Sequence, residues 1–78
     1  MIRCRIFPNP VENIVYIESD REIESYSFIN ISGNIVMEQS GLCSLSIHED
    51  LSGLKSGLYL VRISFSNGGS VVTKVIKN

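Results

Sequence analysis

Apolar and polar residues alternate along almost the whole chain, in short runs broken about every ten residues by Pro, Gly, Asn, Asp or Ser. A period of two is the period of a strand, because successive side chains leave a strand on opposite faces. "IRCRIF" sets Ile2, Cys4 and Ile6 against Arg3 and Arg5. "NIVYIES" sets Val15 and Ile17 against Ile14 and Tyr16. "IESYSFINI" puts Tyr26 and Phe28 in phase, and "IVMEQ" sets Ile35 and Met37 against Val36. "LCSLSIHE" sets Cys43, Leu45 and Ile47 against Ser44, Ser46 and His48. "LYLVRISF" points Tyr59, Val61, Ile63 and Phe65 one way, with Leu60, Arg62 and Ser64 opposite. "SVVTKVIK" is the seventh run.

The breaks are turn chemistry. Two prolines around Asn9 in "PNP" cannot continue a ladder. "SDRE" reads as a polar turn. Gly33 in "SGN" supplies a positive φ for a tight hairpin, and "SNGG" makes another. "DLSGLKSG" has neither period and has room for a single helical turn. Nothing supports a long helix. Seven short strands at this spacing predict an all-β fold, a small antiparallel immunoglobulin-like β-sandwich. Its 78 residues make one domain, residues 1–78, and the 44% hydrophobic content suffices for one core with little space left for a substrate cavity.

The charged residues point away from several functions. Seven basic and eight acidic residues leave a net charge of −1, not the basic footprint of a nucleic-acid binder. No apolar run approaches the ~20 residues of a membrane span, so no membrane insertion is expected. Arg3 and Arg5 interrupt the apolar start, so it does not read as a secretory leader. His48, the one histidine, falls on the Ser44 and Ser46 face and reads as solvated. Asp20, Glu22 and Glu24 share a phase, but calcium needs six or more oxygens from a shaped loop. A charged edge that discourages sheet pairing explains them better. No serine sits in a nucleophile elbow. Neither a catalytic group, nor a metal site, nor a cofactor is expected.

Cys4 and Cys43 both fall on the inward phase. Two separate buried thiols are the preferred reading. The alternative, a disulfide closing a loop of about 39 residues, would be worth about 4 kcal/mol if unstrained. Lys74 and Lys77 read either as solvated charges guarding an edge strand or as a positive end shown to a partner.

Four stretches in order carry a resemblance: "FPNPVENIVYIE", "YSFINISGNIVMEQ", "SIHEDLSGLKSGLYLVRI" and "GGSVVTKVIKN". No single one is specific, but their order, their spacing and the abrupt stop after a lysine-containing strand are together. From Arg5 to Asn78 the chain resembles the type A C-terminal sorting domain of cargo for the type IX (Por) secretion system of Bacteroidetes. Pro8, Asn9 and Pro10 match the family's opening turn, and Gly33 its central hairpin. Gly57 and Tyr59 match its "SGxY" step. Val72, Thr73, Lys74, Val75, Ile76 and Lys77 match its basic terminal strand. Lys55 departs from the family, which often has Pro there, and that loosens the loop.

The resemblance implies a secretion signal that is not an enzyme, excised from a longer secreted parent. The parent would enter the periplasm through a signal peptide. The domain would engage the type IX translocon and outer-membrane shuttle components, then be removed by a sortase-type peptidase cutting near or before residue 1. The cargo would end at the cell surface, often on anionic lipopolysaccharide, or in the medium. Two other readings remain: a cap stabilising a neighbouring enzyme, and an adhesive or carbohydrate-binding β-sandwich module. For the latter, Tyr16 is the best-placed exposed ring.

Overall fold

A computed structural model describes residues 3–78; Ile2, assigned above to the inward face of the first strand, lies outside them. Six strands follow in order: β1 (Cys4–Phe7), β2 (Ile14–Ile29), β3 (Ile35–Gln39), β4 (Ser44–Asp50), β5 (Gly57–Phe65) and β6 (Ser70–Lys77). Every pairing between strands is antiparallel, and the described residues contain no helix. The 51–56 segment is a turn closed by the Leu54 N–H on the Leu51 carbonyl at 2.9 Å.

The strand count falls from seven to six because "SDRE" is not a turn. β2 runs through it unbroken for 16 residues. The backbone explains this. Asp20 N–H donates to the Arg3 carbonyl at 2.9 Å, Ser66 N–H to the Glu22 carbonyl at 3.0 Å, and Leu42 N–H to the Glu24 carbonyl at 2.9 Å. Asp20, Glu22 and Glu24 therefore point to solvent while their main chain stays paired on both sides. A polar stretch whose backbone finds partners needs no turn.

β2 is also where the sheet folds over. Residues 14–18 lie between β1 and β4, with Phe7 opposite Tyr16 and Tyr16 opposite His48. Residues 26–29 lie between β3 and β5, with β6 beyond β5. Register shifts between Glu18 and Ile23 and between Ile23 and Ser25 mark the corner. A strand that changes sheets through a bend is a standard way to close two layers over one core. Val15 and Ile17 from one layer meet Phe28, Val61, Ile63, Phe65 and Val75 from the other in a single buried cluster. The phases assigned from sequence to the "NIVY", "YSF" and "LYLVRISF" runs are those observed.

β4 departs from expectation. Cys43 precedes the strand and is exposed, as is Leu45; only Ile47 of that phase packs against the core. Leu42 rather than Cys43 packs on the core, so the phase read from sequence holds at Ile47 but breaks before it, where the pairing with β2 shifts register. Both cysteines are free, Cys4 half-buried and Cys43 open to solvent, so Cys43 is not a buried thiol.

Candidate functional site

β6 pairs with β5 along its whole length, from Gly57 opposite Lys77 to Ser64 opposite Ser70. Its other edge is where the opening turn arrives. The peptide bonds preceding Pro8 and Pro10 are both cis. The Asn9 side chain accepts from the Ile76 N–H at 2.9 Å and donates to the Lys74 carbonyl at 3.1 Å. The next contacts are main chain: Val11 N–H donates to the Ile76 carbonyl at 2.8 Å, and Asn78 N–H to the Val11 carbonyl at 2.9 Å. Val11 forms a parallel bridge with Lys77 and is fully buried. One carboxamide and one residue thus imitate a short seventh strand. They hold residues 74–78 from the side that β5 does not reach.

The inner edge carries the second motif. Gly57 has φ +150°, a conformation side chains resist, and it sits against Lys77. Tyr59 is buried opposite Val75, and its hydroxyl donates to the Lys55 carbonyl at 2.6 Å. That bond ties the loop that Lys55 was expected to loosen. The third motif residue, Gly33, has φ +87° and lets the Gly33 N–H reach the Asn30 carbonyl at 3.0 Å. Asn30 organises this hairpin, its side-chain oxygen accepting from both Ser32 and Asn34 N–H at 3.0 Å. The "N-x-S-G-N" spacing carried that signal, which sequence reasoning passed over. The hairpin borders a shallow apolar groove of about 270 Å³ lined by Ile29, Ile31, Leu58 and Leu60.

The lysines separate. Lys74 is exposed, whereas Lys77 retains 8% of its exposure and donates to the backbone oxygen of Asn78 at 2.7 Å. Lys77 is therefore neither a solvated guard nor a charge shown outward. An odd separation puts the two on opposite faces of the strand, and Lys77 shares the inward face with Val75. Val72 (57% exposed), Lys74 and Ile76 point outward; Val71, Thr73, Val75 and Lys77 point inward.

Tyr16, the ring suited to a sugar platform, lies on the far layer. It is 42% exposed, yet it is stacked on Phe7 with centroids 5.7 Å apart and has His48 on its other flank at 6.1 Å. Arg5 covers Phe7 at 4.7 Å and pairs with Glu18 at 2.8 Å. Phe7, Tyr16 and His48 thus form a cross-strand ladder that helps to hold three strands together. His48 is exposed, on the face assigned to it. Among the described residues, no cluster of three acidic, His or Cys side chains could hold a metal.

The comparisons fit this geometry. No curated protein matches the chain. Among solved structures, the crystal structure of CopC from Methylosinus trichosporium OB3b superposes with a TM-score of 0.53 over 96% of this chain and 91% of that one. At 19% identity, this likeness shows a shared fold only. A family profile described as the secretion system C-terminal sorting domain matches residues 5–78. Such domains mark proteins exported across the outer membrane to the cell surface or the medium and are in general not catalytic. The chain belongs to this family, the C-terminal secretion signals of the type IX secretion system.

Proposed function

We propose that the type IX translocon and its outer-membrane shuttle components read this signal as a folded strand, β6, presented by the rest of the domain. The observation that carries the reading is the Asn9 clamp. Two hydrogen bonds from the opening "PNP" turn and two from Val11 fix residues 74–78 in place. Holding Val72, Lys74 and Ile76 in a row on an ordered strand lowers the entropy cost of recognition. In this reading Pro8, Asn9, Pro10, Gly33, Gly57 and Tyr59 act by shaping and holding the strand, and residues 72–77 are what is recognised. The domain is excised from a longer parent by a sortase-type peptidase acting upstream of β1, and the domain itself supplies no reacting group.

The test is a reporter fused behind a signal peptide and ahead of this domain in a type IX-competent bacterium. Two variants accompany it. One lacks residues 72–78. The other carries Val72→Ser, Lys74→Ser and Ile76→Ser, which strips the outward row and keeps the inward one. Loss of surface reporter in both, with the triple variant still folded, is the expected result. Surface display at the unmodified level in either variant refutes the reading.

A further inference from the structure

The clamp covers only part of the outer edge of β6. Ile76 turns its N–H and C=O away from β5, toward Asn9 and Val11. Edge-facing groups recur every second residue in an antiparallel ladder, so those of Lys74, Val72 and Ser70 point the same way. Asn9 takes the Lys74 carbonyl. The Lys74 N–H and both backbone groups of Val72 have no partner among the described residues. This open stretch is extended, already ordered by β5, and centred on Val72, the more exposed of the strand's two outward aliphatic side chains.

Charge selects the occupant. All eight acidic residues lie in residues 1–50; residues 51–78 contain Lys55, Arg62, Lys74 and Lys77 and no acid. Arg62 stands opposite Val72, and Lys74 is two residues further along β6, both exposed on the outward face. Antiparallel self-pairing offers this edge no opposite charge: centred on Lys74 it opposes the two lysines, and centred on Val72 it sets Lys74 against Ser70. An incoming strand with carboxylates flanking an aliphatic residue would set a carboxylate beside Lys74 and cover Val72, with Arg62 one strand further in on the same face.

We propose that residues 70–74 of β6 are a strand-addition site, completed by an extended acidic peptide segment of the secretion machinery. The inference rests on β6 being the recognised element and specifies how it is recognised: main-chain bonds supply attachment, and Lys74 with Arg62 select for acid.

The direct test uses the isotope-labelled 78-residue chain and the synthetic peptide Ac-Thr-Val-Glu-Thr-Val-Thr-Glu-Thr-amide. At saturation, hydrogen exchange at the Val72 and Lys74 amides, which lack a β5 partner, should slow about tenfold or more. Replacing both glutamates of the peptide by lysine should weaken binding about tenfold. Absence of binding, equal binding of the two peptides, or shifts mapping away from β6 overturns the proposal. So does concentration-dependent exchange protection at Val72 without peptide, which would make a second copy the occupant.

In cells, Val72→Pro removes one outward N–H without touching the β5 ladder, a position where an edge strand tolerates proline. The pair Arg62→Glu and Lys74→Glu leaves the backbone intact and decides the matter if the proline variant does not fold. Each should cut surface reporter about tenfold. If loss of residues 72–78 blocks export while both of these variants export normally, strand addition fails and the reading of β6 as the signal survives. If the truncated fusion also exports, that reading fails as well.

Discussion

Asn9→Ala tests whether the opening turn holds the last strand. The substitution removes two hydrogen bonds, to the Ile76 N–H at 2.9 Å and the Lys74 carbonyl at 3.1 Å, and disturbs no buried apolar contact. Both lie at an exposed rim where water substitutes, so each is worth the lower part of about 0.5–1.5 kcal/mol, and the pair about 1–2 kcal/mol. In a domain of this size that lowers the melting temperature by roughly 4–16 °C. Asn9→Asp keeps the acceptor for Ile76 but sets a carboxylate against the Lys74 carbonyl, so it should lose at least half as much. Thermal melts followed by circular dichroism give the shift, and amide exchange gives its location. The Ile76 amide should exchange much faster, while the Val75 amide, which faces β5, should follow global unfolding. A shift under about 2 °C with Ile76 exchange unchanged would refute the clamp.

Three further outcomes follow from the core and the rim. Phe28, fully buried, should cost about 3–5 kcal/mol on change to Ala, enough to leave a domain this small largely unfolded at 37 °C by circular dichroism. Burial first, then the hydrogen bond and charge of Glu49, push the Tyr26 hydroxyl above its ordinary value near 10. A raised acid stabilises fully below the unfolded value and loses that contribution as pH climbs toward the folded one. Stability should therefore fall from about pH 10 upward, and Tyr26→Phe should flatten that alkaline limb while lowering stability at pH 7, as denaturant titrations would show. Exposed Cys43 should react with a maleimide well before Cys4, whose thiol is pushed up by burial and then by the charge of Asp20; mass spectrometry of timed samples separates the two.

The alternation of residues by itself determined the all-β class, the inward faces of β5 and of both halves of β2, and the hairpins at Gly33 and "SNGG". It could do so because side-chain phase and turn geometry are properties of a few neighbouring residues. The ordered motifs likewise brought the family within reach. Only tertiary structure decided that "SDRE" continues a strand, since its backbone partners are Arg3, Leu42 and Ser66, up to some 44 residues away. The same holds for burial. Cys43 had an inward phase in the sequence yet lies exposed beside Leu42, which packs on the core, and Lys77 had a charge with Val11 bridged to it. The site itself was legible as separate pieces, Asn9 in one turn and Lys74 and Ile76 in the last strand. That a side chain from residue 9 completes the edge of residues 74–76 is a long-range pairing, and no local pattern encodes which edge a turn will meet.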